Sequence, residues 1–167
     1  MRGVDRYANC NVKMAIKRKM VESIVLAEDS LEYCFFFKKA LSQVDAKKKF
    51  LSVNDGNKLI RLLESYLPDL LFLDLAMPCK DGVQCIKEIR HDRAYNSMPI
   101  IVFSITDDEQ TIQTAYGLGA NLYIVKPNEY YQLLQMLKTV LAMDWSNPKS
   151  IAQRQFQNNK YLPLSVE

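Results

Sequence analysis

Short apolar runs alternate with stretches of helical periodicity from residue 23 onwards. Compact aliphatic and β-branched runs predict strands, and apolar residues spaced at i, i+3 and i+4 predict helices. The predicted strands are Ser23–Ala27, Phe50–Val53, Asp69–Leu75, Pro99–Ile105 and Asn121–Val125. The clearest helical stripe follows the last of them and comprises Tyr130, Leu133, Leu134, Leu137, Val140 and Leu141. Five strands that alternate with five helices indicate an α/β protein with a parallel sheet covered on both faces.

The first helix follows the acidic turn after the first strand, and Ser30 stands where its N-cap is expected. Its predicted core stripe is Leu31, Cys34, Phe35, Phe37 and Leu41. Three consecutive phenylalanines cannot all face one side of a helix, so we expect Phe36 to lie partly outside the core.

The length of 167 residues suits one domain with short extensions. The formal charge of +3 raises nucleic acid or an anionic membrane as partners, but that charge is unevenly distributed. Residues 1–22 carry six cations and two acids, a net +4, which leaves the rest of the chain at −1. The excess of basic residues therefore lies in an N-terminal extension of the predicted domain. Met20, just before the first strand, is an alternative first residue of the native protein. No apolar run approaches the roughly 20 residues that a membrane span needs.

The cysteines argue against two kinds of site. The chain has four cysteines without a CxxC pair and a single histidine, which argues against a Cys/His zinc site. Neither Cys34 nor Cys79 has a histidine nearby to activate it as a nucleophile. Reduced thiols in a cytoplasmic protein are the simplest interpretation.

Polar side chains stand where four of the predicted strands end. Glu28 and Asp29 follow the first strand, Asp74 lies near the end of the third, Ser104 near the end of the fourth, and Lys126 follows the fifth. Because ligands of parallel α/β sheets bind at the carboxyl ends of the strands, we expect these residues to share one site.

Three converging carboxylates repel one another unless a cation or raised pKa values relieve the cost. A hard ion such as Mg²⁺ suits carboxylate oxygens and is commonly completed by a substrate phosphate, to which a lysine and a hydroxyl add contacts. Three carboxylates, a lysine and a hydroxyl at one site indicate phosphoryl chemistry, in which one carboxylate is the nucleophile. Taken singly, each residue has a plainer interpretation: Glu28-Asp29 as a helix cap, Ser104 as a strand hydroxyl and Lys126 as a surface charge. Asp74 is harder to dismiss, because a carboxylate inside an apolar run is costly to bury without a partner.

Four stretches at these strand ends resemble the receiver domain of two-component response regulators, across roughly residues 21–143. They are IVLAEDS, PDLLFLDLAMPCKDG with its D-x-x-M-P-x-x-D-G pattern, PIIVFSI, and GANLYIVKP. The resemblance implies a flavodoxin-like, doubly wound five-stranded parallel sheet of order 2-1-3-4-5 with five flanking helices.

By this resemblance Asp74 accepts a phosphoryl group from a phosphohistidine donor. Glu28, Asp29, Asp74 and the backbone carbonyl of Ala76 are the implied ligands of Mg²⁺ (or Mn²⁺). Lys126 matches the lysine of the family, and the Lys126–Pro127 bond is expected to be cis.

Other matched positions concern switching and the lifetime of the phosphoryl group. Ser104 matches the hydroxyl that moves toward the phosphoryl group, and Tyr123 the aromatic that swings inward with it. Packing as an ordinary strand aromatic is an alternative for Tyr123. Ala76 and Thr106 occupy positions that shape water access, so we expect the phosphoryl lifetime to depend on them.

The predicted organisation is a basic extension over residues 1–20, expected to be poorly ordered, a receiver domain over 21–143, and a tail over 144–167. The tail is too short for a DNA-binding module, so we expect no direct DNA binding. Its scattered apolar residues leave open whether it packs on the domain or is solvated. The His91–Met98 loop, the NLYIVKP stretch and the aromatic tail resemble stand-alone receivers of the phytochrome-partner type.

The partners implied are a histidine kinase or histidine phosphotransfer protein and a downstream protein target, with a homodimer as a further hypothesis. The protein is not expected to be an enzyme beyond transfer to Asp74 and loss of that group. Two alternatives remain: a pseudo-receiver that binds partners without phosphorylation, and an Mg²⁺-dependent phosphatase of the haloacid-dehalogenase type. The phosphatase would need a second aspartate where Ala76 stands.

Overall fold

The computed structural model describes residues 19–165, so the extension predicted for residues 1–20 lies almost wholly outside it. The strands are β1 (Ser23–Ala27), β2 (Lys49–Val53), β3 (Leu70–Leu73), β4 (Ile100–Ser104), β5 (Leu122–Val125), β6 (Phe156–Gln157) and β7 (Lys160–Tyr161). The helices are α1 (Leu31–Val44), α2 (Gly56–Leu63), α3 (Gly82–His91), α4 (Glu109–Gly117), α5 (Tyr130–Ala142) and α6 (Pro148–Arg154). A short 3-10 helix, Arg93–Tyr95, lies in the loop between α3 and β4.

The first five strands form one parallel sheet in the order β2-β1-β3-β4-β5. One apolar cluster joins one sheet face to α2, α3 and α4, and a second joins the other face to α1 and α5. All residues of β3 and β4 are buried, as expected of central strands covered on both faces. The flavodoxin-like sheet and its predicted order are confirmed.

Short polar side chains set where the helices begin. The side chain of Ser30 accepts a hydrogen bond from the backbone N–H of Tyr33, which confirms the predicted N-cap of α1. Asp55, Asp81 and Asp108 cap α2, α3 and α4 in the same way. Gly119 follows α4 with a φ of 103°, a backbone conformation that favours glycine at the C-terminal end of a helix. These caps hold the loops that follow β1, β3 and β4.

The core face of α1 differs from the predicted stripe. Phe37 and Leu41 are buried and Cys34 is half-buried, but Leu31 is 78% exposed and Phe35 is 63% exposed. The prediction that Leu31 and Phe35 belong to the core was wrong, because α1 turns its Phe37 side toward β1, β3 and β4. Phe36 is 38% exposed, as its position in the phenylalanine run predicts.

The described part of the tail packs on the domain and adds a sixth helix, which the sequence did not predict. Trp145 is buried, donates its indole N–H to the carbonyl of Val140 and packs with Ile151 of α6 in the α1–α5 cluster. The β6–β7 hairpin then reaches α4 on the other side of the sheet. Within residues 19–165 no helix combines the length and apolar character that crossing a bilayer requires.

Candidate functional site

The carboxyl ends of four strands meet at one edge of the sheet and bring the predicted polar residues together. Glu28 follows β1, Asp74 follows β3, Ser104 ends β4 and Lys126 follows β5. All four are buried, although each is polar or charged. A polar residue is buried at a cost unless it has partners, so their partners describe the site.

Glu28 and Asp29 differ in environment although they are neighbours. The backbone N–H of Glu28 donates to the carbonyl of Val53, and its carboxylate accepts the N–H of Ser30 at 3.0 Å. Burial raises the pKa of Glu28, and its contact with Lys126 works in the opposite direction. Asp29 is exposed at the mouth of the same site.

Asp74 is tied to the sheet and to the loop that follows it. Its backbone N–H donates to the carbonyl of Ala27 at 2.9 Å, which continues the pairing of β3 with β1. One carboxylate oxygen, Oδ1, accepts the N–H of Ala76 at 3.2 Å. The other, Oδ2, lies 2.7 Å from Nζ of Lys126. The carboxylate is thus held with both oxygens in defined contacts.

Lys126 is the only cation among the buried polar residues of the described chain. Its backbone N–H donates to the carbonyl of Ser104 at 2.8 Å, and its Nζ contacts both Asp74 and Glu28. The ammonium also lies 5.2 Å from the ring centroid of Tyr33 and 5.9 Å from that of Phe103. Aromatic faces and two carboxylates together offset the cost of burying this charge.

The Lys126–Pro127 bond is trans, as are the other peptide bonds of the described residues, so the expected cis bond is corrected. The trans form is the intrinsic preference of such bonds, by about 0.5–1 kcal/mol. In this arrangement the hydroxyl of Tyr33 donates to the carbonyl of Pro127 at 3.2 Å, which holds the loop after β5 against α1.

Three carboxylates are close enough to share a cation. Ligand oxygens of Glu28, Asp29 and Asp74 all lie within 4.8 Å of one another. Hard divalent ions such as Mg²⁺ and Mn²⁺ take carboxylate and carbonyl oxygens and keep several waters. Two buried acids with an exposed third fit such an ion, because the exposed side leaves room for water or a phosphate group.

Ser104, Thr106 and Tyr123 form a connected group beside Asp74. The N–H of Thr106 lies 3.5 Å from the hydroxyl oxygen of Ser104, a long contact. Tyr123 is fully buried, and its hydroxyl donates to the carbonyl of Thr106 at 2.9 Å. Burial raises the pKa of Tyr123, so the hydroxyl remains a donor at neutral pH.

Ala76 and Thr106 lie at the open side of the site. Ala76 is exposed and Thr106 is half-buried, each two residues beyond a strand-end residue of the site. Both residues are therefore accessible to water. The structure thus brings the predicted residues that end or follow the strands to one site, and Tyr123, which lies within β5, reaches it through its hydroxyl contact with Thr106.

Two tyrosines take part that the sequence reasoning did not assign to the site. Tyr33 covers Lys126, and the hydroxyl of Tyr116 accepts the backbone N–H of Tyr123 at 2.9 Å. Tyr33 lies in the first turn of α1, directly after the acid pair, and that position was its only sequence signal. The contact of Tyr116 could not be predicted from local pattern, because it joins residues on different elements, α4 and β5.

The sequence model of the response regulator receiver domain family matches this chain over residues 24–138. Among solved structures, the phosphorylated cyanobacterial phytochrome response regulator RcpA is similar, with a TM-score of 0.70 and 29% identity over 75% of this chain and 95% of that one. The Mn²⁺-bound form of response regulator Rcp1 has a TM-score of 0.68 at 23% identity, over 75% of this chain and 96% of that one.

A third structure covers more of the chain. Response regulator RPA3017, from red light signaling of R. palustris, has a TM-score of 0.66 at 19% identity, over 87% of this chain and all of that one. At this identity the likeness shows the shared fold alone. With the family match over residues 24–138, the chain belongs to the response regulator receiver domain family.

Proposed function

We propose that this receiver domain accepts a phosphoryl group on Asp74 from a phosphohistidine and signals through a conformational switch. The observation that carries the proposal is the 2.7 Å contact between Lys126 Nζ and Asp74 Oδ2 inside a cluster of three carboxylates. In the transfer, a carboxylate oxygen of Asp74 attacks phosphorus while the bond from phosphorus to the donor's imidazole nitrogen breaks. The imidazole leaves as the neutral ring after taking up a proton.

Glu28, Asp29, Asp74 and the carbonyl of Ala76 would hold Mg²⁺ or Mn²⁺. When bound, the ion would offset negative charge on the phosphoryl oxygens. The proposal is supported by the spacing of the three carboxylates and by the Mn²⁺-bound form of Rcp1. Asp29 is the exposed member, so it would contact the ion from the solvent side.

Lys126 would stabilise the added group without moving far. Its ammonium already contacts both buried acids and can pair with a phosphoryl oxygen once Asp74 carries one. The Ser104 hydroxyl would donate to another oxygen. Phosphorylation adds roughly −1.5 to −2 charges and three acceptor oxygens, which is enough to bias a two-state loop.

The switch would run from Ser104 to Tyr123 through the loop between them. Tyr123 is bound to the carbonyl of Thr106, so a shift of this loop toward Asp74 changes the place where the tyrosine hydroxyl is held. Tyr123 lies on β5 and packs with Ile112, Ala115 and Tyr116 of α4. The surface of α4, β5 and α5 would therefore report the phosphorylation state to a downstream protein.

A histidine kinase or histidine phosphotransfer protein would approach along α1. This helix begins just after the acid pair and exposes Leu31, Phe35 and Phe36. An apolar patch beside the site suits packing against a helix that presents the donor histidine. The proposal places this exchange in the cytoplasm, where the free thiols of Cys34 and Cys79 would stay reduced. The proposal involves no contact with DNA. Formation of a homodimer would be a second way for the domain to report its phosphorylation state.

The test is incubation with a small phosphodonor and Mg²⁺, followed by intact-mass measurement. We expect the wild-type protein to gain the mass of one phosphoryl group, and Asp74→Asn to gain none. Asp45→Asn is the matched control, because the half-buried Asp45 lies between α1 and β2, at the opposite ends of the strands from the site. A wild-type protein that never gains the group would favour a pseudo-receiver that binds partners without phosphorylation.

A further inference from the structure

Five residues of the tail lie on the surface formed by α4 and β5. We call Lys160–Leu164 the tail segment. The side-chain amide of Gln113 contacts the backbone of Tyr161 twice: its nitrogen donates to the Tyr161 carbonyl at 2.7 Å, and its oxygen accepts the Tyr161 N–H at 2.8 Å. A side-chain amide that pairs with both backbone groups of one residue recognises an extended peptide whatever that residue is.

An aromatic side chain anchors the tail segment. The ring of Tyr161 stacks on Tyr116 of α4, with centroids 4.5 Å apart and planes 13° apart. The hydroxyl of Tyr116 donates to the carbonyl of Leu162 at 3.1 Å. Tyr116 thus offers a flat apolar face for a ring and a donor for the backbone one residue further on.

The segment also covers the edge of the sheet. β5 is an edge strand, and the N–H of Leu164 donates to the carbonyl of Tyr123 at 2.8 Å. Exposed strand edges are surfaces to which extended peptides add by backbone hydrogen bonds. At the other end of the segment, Lys160 pairs with Glu109 at the start of α4. The contacts use backbone groups, one ring and one cation.

These contacts end next to the residue proposed as the switch. Tyr123 gives its carbonyl to Leu164, its backbone N–H to Tyr116 and its hydroxyl to Thr106. The tail segment therefore contacts the main chain of Tyr123 directly.

We propose that the tail segment is an intramolecular ligand of the α4–β5 surface and competes there with a partner protein. The partner would present an extended segment with an aromatic residue in the place of Tyr161 and a cation before it. The inference deepens the proposed function, since it names the regulation of its output surface. None of its contacts involves Asp74, so the competition can be tested without phosphorylation.

Attachment to the domain gives the tail segment an advantage over any free segment. A short tether supplies an effective concentration of the order of millimolar. A partner segment that binds no better than the tail would therefore be largely excluded. Weakening the tail should uncover the surface.

The experiment uses the full chain and a synthetic peptide of residues 155–165, followed by NMR titration. We expect the peptide to bind the Tyr161→Ala protein at least about tenfold more tightly than the wild-type protein, whose own tail competes. Lys160→Glu provides a second weakened tail, since it places a negative charge opposite Glu109.

Adding Gln113→Ala to Tyr161→Ala should weaken peptide binding about tenfold, because two hydrogen bonds are lost. Gln110→Ala is the matched control: Gln110 is an exposed glutamine one turn earlier on α4. In the intact chain without peptide, hydrogen exchange of the Leu164 amide should accelerate about tenfold in Gln113→Ala and stay unchanged in Gln110→Ala.

Two results would overturn the proposal. One is equal binding of the peptide to the wild-type and Tyr161→Ala proteins, or none to either. The other is an exchange rate at Leu164 that does not respond to Gln113→Ala. If Asp74 were never phosphorylated, only the proposed function would fail, and these binding results would stand.

Discussion

The ammonium of Lys126 lies 2.7 Å from Oδ2 of Asp74 and also contacts the carboxylate of Glu28, which is likewise buried. One cation thus serves two buried acids that come from different strands. Two helix–strand units separate Glu28 from Asp74 in the chain, and two more separate Asp74 from Lys126. The single positive charge offsets part of the charge of the two carboxylates and so lowers the cost of burying them.

Replacing Lys126 with methionine keeps the length of the side chain and removes the charge. We expect a loss of about 3–5 kcal/mol in the free energy of unfolding, because two buried carboxylates lose their cation. The loss should be smaller at about pH 4 than at about pH 7, since unpaired buried carboxyls have raised pKa values and take up protons as the pH falls. Urea unfolding with a chelator present measures both values.

Lys138→Met is the control for that substitution, because Lys138 is exposed on α5. A loss equal to that of the control would contradict the assigned role of Lys126.

Mg²⁺ should stabilise the folded protein if the three acids bind it. At one hundred times its dissociation constant, the ion should add about 2.7 kcal/mol to the free energy of unfolding. Asp29→Asn should remove most of this response, because Asp29 is an exposed member of the cluster. Thermal unfolding in Mg²⁺ and in chelator measures the difference, with Asp45→Asn as the control. An undiminished response in Asp29→Asn would argue against the proposed ligand set.

Gly82 lies against the backbone of the Asp74 loop. A Cβ at this position would collide with the carbonyl oxygen of Asp74 and lie 2.8 Å from Cα of Leu75. We expect Gly82→Ala to cost about 1–3 kcal/mol of stability, because the backbone must shift, and to slow phosphoryl uptake. Chemical denaturation and the intact-mass assay test the two effects.

Gly117→Ala is its matched control, since a Cβ there meets nothing within 4 Å and the residue ends α4. This variant should be unchanged or up to about 1 kcal/mol more stable. If Gly82→Ala and Gly117→Ala had the same stability and the same rate of phosphoryl uptake, the prediction for the Asp74 loop would be wrong.

The lifetime of the phosphoryl group should depend on Ala76 and Thr106, which border the open side of the site. Polar side chains at these positions can orient a water for in-line attack on phosphorus, so Ala76→Asn with Thr106→Glu should shorten the lifetime at least about tenfold. Timing the loss of the added mass after removal of the donor measures it. Ala142→Asn, at the exposed end of α5, is the control, and an unchanged lifetime in the double variant would refute the prediction.

The strand-end residues could be predicted because each lies beside a locally recognisable run. Asp74 interrupts an apolar stretch, and Glu28 follows a β-branched one, so their positions at one edge follow from the rule for parallel sheets. The core side of α1 was harder to predict. Leu31 and Phe35 have helical spacing, but which side of the helix is buried depends on where the sheet lies.

The sequence alone was enough to predict the five strands, the N-cap of α1 and the polar residues at the strand ends, because these depend on local pattern. Its motifs at fixed spacing gave the family resemblance, from which the strand order followed. Only the packed structure shows that Lys126 contacts two acids and that the ring of Tyr33 covers its ammonium. It also decided that the tail folds back onto α4 and β5, where Tyr161 stacks on Tyr116. Such contacts join residues distant in the chain, and their geometry arises only when the sheet and helices are packed together.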